Sequence, residues 1–179
     1  MILTGPEITA SARDGRLTID PFELEQVNPN SYNVRLGPTL LTYVDTVIDS
    51  HHPNSTCEME IGKDGYVLQP GELYLGHTLE RVGSNSFVPL LFGRSSVGRL
   101  GLFVEITAPI GDIGFHGQWT LMLSPVRPLR VYAGMKIAQI MFFVSTGEID
   151  PYQGKYQAAT GPQPSRYWRD VTPVKAVAS

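Results

Sequence analysis

The sequence of 179 residues contains one cysteine, no run of basic residues and no long apolar stretch. A single thiol, Cys57, excludes an internal disulfide and a thiolate zinc cluster, and it favours a reducing compartment. No apolar run approaches the roughly 18 residues that a membrane-crossing helix needs. The first residues also lack the basic and apolar regions of a secretory signal. We therefore expect a cytoplasmic protein that has no membrane partner.

Charge and length restrict the possible partners further. The formal net charge is −3 at pH 7, and Lys and Arg form no basic stripe, so we expect no binding to duplex nucleic acid. Any nucleotide that binds is expected to be a free one. A chain of 179 residues can bury a core without disulfide or metal staples. We expect one domain that covers residues 1–179.

Glycine and proline interrupt the chain at short intervals, with 18 and 14 copies. Between them lie short segments of alternating polarity, which are typical of strands in a sandwich, jelly roll or distorted barrel. Thr4, Pro6 and Glu7 predict one short N-terminal helix that ends near Gly15. The pattern thus predicts a mainly β fold, with strands at residues 31–36, 39–44, 57–61, 66–68, 73–79, 86–92, 103–107, 119–123, 129–132 and 136–144.

Arg94, Ser95 and Ser96 are the first candidates for ligand binding. A guanidinium and two small hydroxyls can hold phosphate oxygens through charge-assisted hydrogen bonds. The serines are also placed to cap a helical turn. An isolated Arg-Ser-Ser is equally typical of a surface loop whose Arg pairs with a carboxylate, so the surrounding residues must decide.

Asp112 is the second candidate, because it lies in a glycine-rich segment, residues 111–117. Glycines permit a tight turn and let the backbone approach a ligand closely. An Asp among glycines is also a common turn residue, since its carboxylate can bond to nearby backbone N–H groups. Both interpretations stay open on these residues alone.

The central motifs together resemble the dCTP deaminase and dUTPase superfamily. The resemblance rests on Gly93-Arg94-Ser95-Ser96-Val97-Gly98-Arg99-Leu100-Gly101-Leu102, on Thr107-Ala108 and on Asp112-Ile113-Gly114-Phe115-His116-Gly117. It extends over residues 28–166 and includes Asn33, which stands where the family usually has Asp. The resemblance implies a distorted jelly roll or barrel of the dUTPase-like type. It also implies a homotrimer with sites shared between neighbours, and a deoxynucleoside triphosphate as ligand.

The resemblance implies a role for each candidate residue. Asp112 would accept the deoxyribose 3′-hydroxyl and, as in dUTPases, orient the attacking water, while Phe115 would pack on the sugar. Arg99 would help to place water near the base, with a structural ion pair as the alternative. The remaining contacts would come from Arg94, Ser95 and Ser96 to phosphate, and from the backbone of Ile106, Thr107 and Ala108 to the base edge.

The C-terminal segment, residues 147–179, resembles the deaminase tail that folds over the triphosphate. Tyr152 and Lys155 would meet the terminal phosphates. The tail has no apolar periodicity. We therefore expect it to stay loose until a ligand or a neighbouring subunit orders it.

Met122 decides which reaction is expected, because family deaminases carry at this place a Glu that performs the proton transfers. A thioether cannot do so, and the chain lacks the His and Cys ligands of a zinc deaminase. Glu105 is the nearest carboxylate in sequence, but we expect it to face away from Ile106 and to be solvated or ion-paired. dUTPases carry an apolar residue at the place of Met122 and use their Asp with magnesium on the phosphates.

The leading prediction is therefore Mg²⁺-assisted hydrolysis of dUTP or a related deoxynucleotide to the monophosphate and pyrophosphate. Asp112 and Arg99 would be catalytic, and phosphates rather than protein side chains would hold the Mg²⁺. A dCTP deaminase, which converts dCTP to dUTP and ammonia, is the first alternative, because the tail and the segment around Asn33 resemble deaminases and because Glu105 or a neighbouring subunit could supply a carboxylate. A nucleotide-binding regulator without turnover is the second, because Ile110 and Ala159 stand where some members carry Arg and Gln.

Overall fold

Strands dominate the computed structural model, which describes residues 1–105 and 107–171. The helices are α1 (Gly5–Arg13) and α2 (Ser95–Gly98), with short 3-10 turns at Leu24–Gln26 and Tyr167–Arg169. The strands are β1 (Leu17–Asp20), β2 (Tyr32–Arg35), β3 (Thr39–Tyr43), β4 (Thr56–Glu60), β5 (Tyr66–Leu68), β6 (Tyr74–Ser84), β7 (Phe87–Gly93), β8 (Leu102–Val104), β9 (His116–Pro125), β10 (Leu129–Val131) and β11 (Lys136–Val144). The predicted mainly β class with a short N-terminal helix is confirmed.

The strands form three antiparallel sheets around one hydrophobic core. The largest has the order β4-β3-β6-β9-β8, with β1 also paired to β6. The second has the order β2-β11-β7, and the third pairs β10 with β5. Fully buried side chains from these sheets meet in the core, among them Leu36, Leu40, Leu121, Leu123, Ile137 and Phe142.

Some strand bounds differ from those predicted, and each difference has a local cause. β8 ends at Val104 instead of residue 107, because Glu105 has a φ of 53° and leaves the extended conformation. β6 runs on to Ser84 because β1 and β9 both pair with its second half. β1 was missed, although its buried Leu17 and Ile19 alternate with less buried residues as strand residues do.

Helix α2 also differs in detail from the prediction. Its N-cap is Arg94, and that residue makes no side-chain capping hydrogen bond. Ser95 and Ser96 therefore lie in the helical turn itself and are exposed, so the predicted capping role of the serines is wrong.

A buried ion pair joins β2 to β6. The Arg35 Nε lies 2.6 Å from the Glu80 Oε1, and the Arg35 backbone N–H donates to the other carboxylate oxygen at 2.8 Å. The Glu80 side chain is 0% exposed, and a second carboxylate, Glu23, lies 2.7 Å from the Arg35 Nη1. Removal of the guanidinium would leave the Glu80 charge buried without this partner.

The Asn33 side-chain amide donates two hydrogen bonds. Its buried Nδ2 donates to the Gln26 carbonyl and to the Asn28 side-chain oxygen, each at 3.1 Å. A carboxylate at this position could not donate either bond. The replacement of the family's usual Asp therefore matches the local hydrogen bonding.

None of the helices in residues 1–105 and 107–171 has the length and apolar character that crossing a bilayer requires.

Candidate functional site

A cavity of about 500 Å³ lies between β9 and the C-terminal segment. Alternate residues of β9, namely Gln118, Thr120 and Met122, line it. Leu121 and Leu123, which alternate with them, are fully buried in the core. This is the alternation expected of a strand with one face on the core. The other face of β9 is therefore free to form a ligand site.

The loop from β8 to β9 forms a second wall of the cavity through Ala108, Ile110, Gly111, Asp112 and Phe115. Its glycines are needed for close packing. A Cβ added at Gly111 would lie 2.0 Å from the Trp119 Cη2, which is far inside van der Waals contact. Gly114 has a φ of 95°, and its N–H donates to the Ser84 carbonyl at 2.7 Å. The loop is thus held against β9 with the Asp112 carboxylate exposed beside the cavity.

Three aromatic rings meet at this wall. The Phe115 ring makes edge-to-face contacts with Trp119 and Tyr152, at centroid distances of 5.8 and 6.0 Å. The Trp119 indole N–H donates to the Val82 carbonyl at 3.2 Å, which fixes the ring against β6. A rigid aromatic surface beside a carboxylate suits a ligand with a flat or cyclic apolar face and hydroxyl groups.

The C-terminal segment runs alongside β9 and lines the third side of the cavity. The Gln118 N–H donates to the Ala159 carbonyl at 2.8 Å, and the Gly161 N–H donates to the Gln118 side chain at 2.6 Å. Farther along, the Gln163 N–H donates to the Thr120 hydroxyl at 2.9 Å. One backbone hydrogen bond and two hydrogen bonds to β9 side chains thus hold residues 159–163 against β9.

Glu105 lies in the cavity wall, which differs from the solvated or ion-paired strand position expected for it. The residue is 7% exposed, and its Oε1 accepts a hydrogen bond from the Met122 N–H at 2.8 Å. Burial raises the pKa of the carboxyl from 4.5 to about 7, and the bond from Met122 lowers it only in part. The sequence interpretation named Glu105 as the nearest carboxylate but expected it outside the site, and its burial in the cavity wall corrects that expectation.

The predicted site residues fall into separate groups in the structure. Ala108, Asp112, Phe115 and Tyr152 line the cavity. Thr107 is exposed and outside the lining, and the Lys155 amino group pairs with the Asp170 carboxylate. Ile106 lies outside the described residues.

The remaining group surrounds α2. Ser95, Ser96 and Arg99 are exposed, and the Arg94 Nη1 donates to the Lys136 carbonyl at 3.4 Å. Within the described part of the chain, the cavity lining includes none of these four residues. The residues predicted to bind the phosphates and those predicted to bind the sugar are therefore not brought together within one chain.

The differences from the family pattern also lie at the cavity. Ile110 and Ala159 both line it, so two positions where some members carry Arg and Gln are apolar here. Across the sheet, Leu75 pairs with Met122, and both side chains contribute to the same wall. Over residues 1–105 and 107–171, no group of three or more His, Cys, Asp or Glu side chains is arranged to hold a metal ion.

Comparison with known proteins places this chain in a family. The family model for dCTP deaminase-like proteins matches residues 2–145. A protein of Leptospira biflexa named "dCTP deaminase, dUMP-forming" is 47% identical over 171 residues, which is 95% of this chain and 98% of that protein. A protein of Clostridium acetobutylicum with the same name is 46% identical over the same shares of both chains.

Among solved structures, the 2′-deoxycytidine 5′-triphosphate deaminase of Agrobacterium tumefaciens has the same fold, with a TM-score of 0.65 and 23% sequence identity. The match covers 80% of this chain and 48% of that one. The expected dUTPase-like fold type is confirmed.

The relatives contradict the leading prediction, which was hydrolysis of dUTP or a related deoxynucleotide without deamination. They agree instead with the first alternative, since the proteins of Leptospira biflexa and Clostridium acetobutylicum are both named as dCTP deaminases. The prediction expected Glu105 to be solvated or ion-paired and therefore ranked deamination second, whereas the structure has Glu105 buried in the cavity wall. Glu105 reaches the same cavity from the end of β8. The predicted superfamily is confirmed, and the chain belongs to the dCTP deaminase-like family.

Proposed function

We propose that this chain deaminates dCTP and releases dUMP, the reaction in the names of its relatives that are 46–47% identical. The overall reaction consumes dCTP and two waters and yields dUMP, ammonia and pyrophosphate. The observation that carries the proposal is a buried carboxyl group, Glu105, in the wall of the cavity. Its raised pKa of about 7 permits both proton uptake and proton release near neutral pH. The cavity therefore contains the chemical group that deamination requires.

The cavity suits the nucleoside part of the substrate. We assign the exposed Asp112 carboxylate to the 3′-hydroxyl of the deoxyribose, and the Phe115 ring to the face of the sugar. The base edge would meet the backbone of residues 106–108. Tyr152 contacts Phe115 from the tail, which supports closure of the described part of the tail, residues 147–171, over the bound nucleotide. Residues 172–179 of the predicted tail lie outside the described residues. The volume of about 500 Å³ lies in the range of small-molecule sites.

The triphosphate would lie between two subunits. Arg94, Ser95, Ser96 and Arg99 stand outside the cavity lining of their own chain, so we propose that they complete the cavity of a neighbouring subunit in a homotrimer. An exposed apolar surface near α2 and β8 supports a subunit contact there, with Leu100, Phe103 and Val126 at 60%, 48% and 56% exposure.

Magnesium would be bound by the phosphate oxygens of the substrate rather than by a protein ligand set. Lys155 would reach the terminal phosphates by exchanging its exposed partner, Asp170, for a phosphate. Since the substrate is a free nucleotide of the cytoplasmic pool, we propose that compartment for the chain.

The experiment that tests the function is an incubation of the protein with dCTP and Mg²⁺. Ammonia is measured directly, and nucleotides are resolved by chromatography. Ammonia and dUMP in equal amounts would support the proposal. Ammonia with dUTP as the end product would refute dUMP formation but keep deamination. Binding of dCTP without any product would refute both steps and favour the regulator, which Ile110 and Ala159 in the cavity wall would then explain.

Two further measurements test the assigned residues and the assembly. Asp112→Asn removes the charge at the position assigned to the 3′-hydroxyl, and it should lower kcat/KM for dCTP by about 10- to 100-fold, since a hydrogen bond to a charged group contributes about 1.5 to 3 kcal/mol. Unchanged kinetics would exclude Asp112 from the site. Light scattering after gel filtration should give three times the chain mass of 19.7 kDa, and a monomer mass would contradict the shared site.

A further inference from the structure

We infer that Glu105 performs the proton transfers of deamination in this chain, from the end of β8 instead of from the β9 position that Met122 occupies. The inference rests on the proposed function and assigns one of its steps to a residue. Neither the family pattern nor the motif around Asp112 points to this position.

Positions 105 and 122 meet at the end of the β8–β9 pair. β8 pairs with β9 as Leu102 to Pro125, Phe103 to Ser124 and Val104 to Leu123. Glu105 follows the last pair with a φ of 53°, and the hydrogen bond from the Met122 N–H at 2.8 Å holds its carboxylate beside Met122. A carboxylate at either position therefore enters the same part of the cavity.

The observed contacts agree with this placement. Glu105 and Met122 both line the cavity, and the Glu105 Oε1 accepts the Met122 N–H at 2.8 Å. This bond holds one carboxylate oxygen. Within the described residues, the other oxygen accepts no hydrogen bond from the protein. That oxygen is the one available to a water molecule.

The backbone conformation and the burial of Glu105 are both energetically unfavourable for a glutamate. Its φ of 53° lies in the left-handed region, which a glutamate rarely adopts. Its carboxyl is also buried, and none of the salt bridges among the described residues includes it. Strained backbone and unpaired buried acids are both concentrated at functional sites. A structural role, by contrast, would be met by a neutral side chain that accepts the same bond from Met122.

The proposed step conserves atoms and charge. The Glu105 carboxylate removes a proton from water as the water oxygen bonds to C4 of the cytosine ring, and it passes that proton to N3. It then removes the second proton from the new hydroxyl group and gives it to the amino nitrogen. The C4–N bond breaks, ammonia leaves, and the C4 oxygen becomes the carbonyl of uracil. Glu105 ends in its starting charge state, and no metal or other co-reactant is consumed.

The decisive variant is Glu105→Gln, because the amide oxygen can still accept the Met122 N–H while the proton shuttle is lost. We expect ammonia release from dCTP to fall by about 10²- to 10⁴-fold, with dCTP binding changed less than about threefold. The matched control is Glu60→Gln, the same substitution at an exposed residue of β4 outside the cavity lining. The control should retain the rate of the unaltered protein.

A second variant keeps the test decisive if Glu105→Gln alone is ambiguous. The double variant Glu105→Gln with Met122→Glu moves the carboxylate to position 122, and it should regain at least about tenfold of the lost rate. The kcat of the unaltered protein should also fall as the pH is lowered through about 7, because the charged carboxylate accepts the first proton. The residual rate of Glu105→Gln should lack this dependence.

The possible failures are distinguishable. If the unaltered protein deaminates dCTP and Glu105→Gln does so within about threefold of its rate, the assignment of Glu105 is overturned while the proposed function stands. A loss in Glu105→Gln with no recovery in a folded double variant that binds dCTP also overturns the assignment, since the contact between positions 105 and 122 then does not explain it. If the unaltered protein releases no ammonia, the proposed function fails, and the inference that rests on it fails too.

Discussion

Glu105→Gln should stabilise the protein above neutral pH, although we expect it to remove activity. In the native protein the Glu105 carboxyl is 7% exposed, and burial raises its pKa from 4.5 to about 7. The charged form is therefore less favourable in the folded state than in the unfolded state. A glutamine of the same size has no charge to bury, and it keeps an acceptor for the Met122 N–H.

The sign and the size of the effect follow from proton linkage. A folded-state pKa above the unfolded value means that the protonated group favours folding, so its contribution is complete below 4.5 and is lost as the pH rises to about 7. At about 1.4 kcal/mol for each pH unit, the loss amounts to about 3 kcal/mol above this window. Relative to the unaltered protein, Glu105→Gln should thus gain about 3 kcal/mol at about pH 8 and less than about 1 kcal/mol at about pH 5.

Urea unfolding at these two pH values measures the difference directly, with both proteins at the same concentration because an oligomer's stability depends on it. Glu60→Gln is again the matched control, since Glu60 is exposed and lies outside the cavity lining. A gain in stability for Glu105→Gln that is the same at both pH values would refute the reasoning. It would show that the Glu105 carboxyl titrates in the folded protein as it does in the unfolded chain.

Two other substitutions test the packing of the site and of the core. Gly111→Ala would place a methyl 2.0 Å from the Trp119 ring, so the ring must move, and we expect the KM for dCTP to rise by about tenfold in steady-state kinetics and the free energy of unfolding to fall by about 1 to 3 kcal/mol. Arg35→Leu would leave the buried Glu80 carboxylate without its partner and should lower the free energy of unfolding by about 3 to 5 kcal/mol. Adding Glu80→Gln should recover part of that loss, and no recovery in urea unfolding would mean that Arg35 stabilises the chain through packing instead of charge.

Local signals in the sequence were enough for most of the fold. β5 and β11 have the predicted bounds, 66–68 and 136–144, because glycine and proline turns delimit short alternating segments. The same local motifs predicted that Asp112, Phe115 and Tyr152 belong to one site, and all three line the cavity. Their shared place in the cavity could be anticipated because each lies in a short segment whose pattern resembles that of the family, while their roles remain predictions.

Interactions between distant segments were not visible in the same way. Hydrogen bonds join the C-terminal segment to β9, one of them between the Gln118 N–H and the Ala159 carbonyl and others from backbone N–H groups to the Gln118 and Thr120 side chains. The residues joined by the two side-chain bonds are 43 positions apart in sequence, so no local pattern indicates them. The positive φ of Glu105 was equally hidden, because glutamate is not a residue that marks left-handed backbone. The residues around Arg94 that are predicted to bind phosphate do not line the cavity of their own chain, since the proposed contact needs a second subunit.

The position of Glu105 also explains how a proton-transfer group can move between strands while the cavity stays the same. β8 ends at Val104, so the Met122 N–H of β9 has no β8 strand carbonyl opposite to it, and the Glu105 carboxylate takes that place at 2.8 Å. Ending β8 one residue later would return Glu105 to extended backbone and restore a main-chain acceptor. Because the backbone of Glu105 is left-handed, the Met122 N–H bonds to the Glu105 side chain instead of to a main-chain carbonyl, and this bond holds one carboxylate oxygen. A glycine at position 105 would adopt the same turn without strain but would supply no acid, so the conformation alone cannot account for the glutamate.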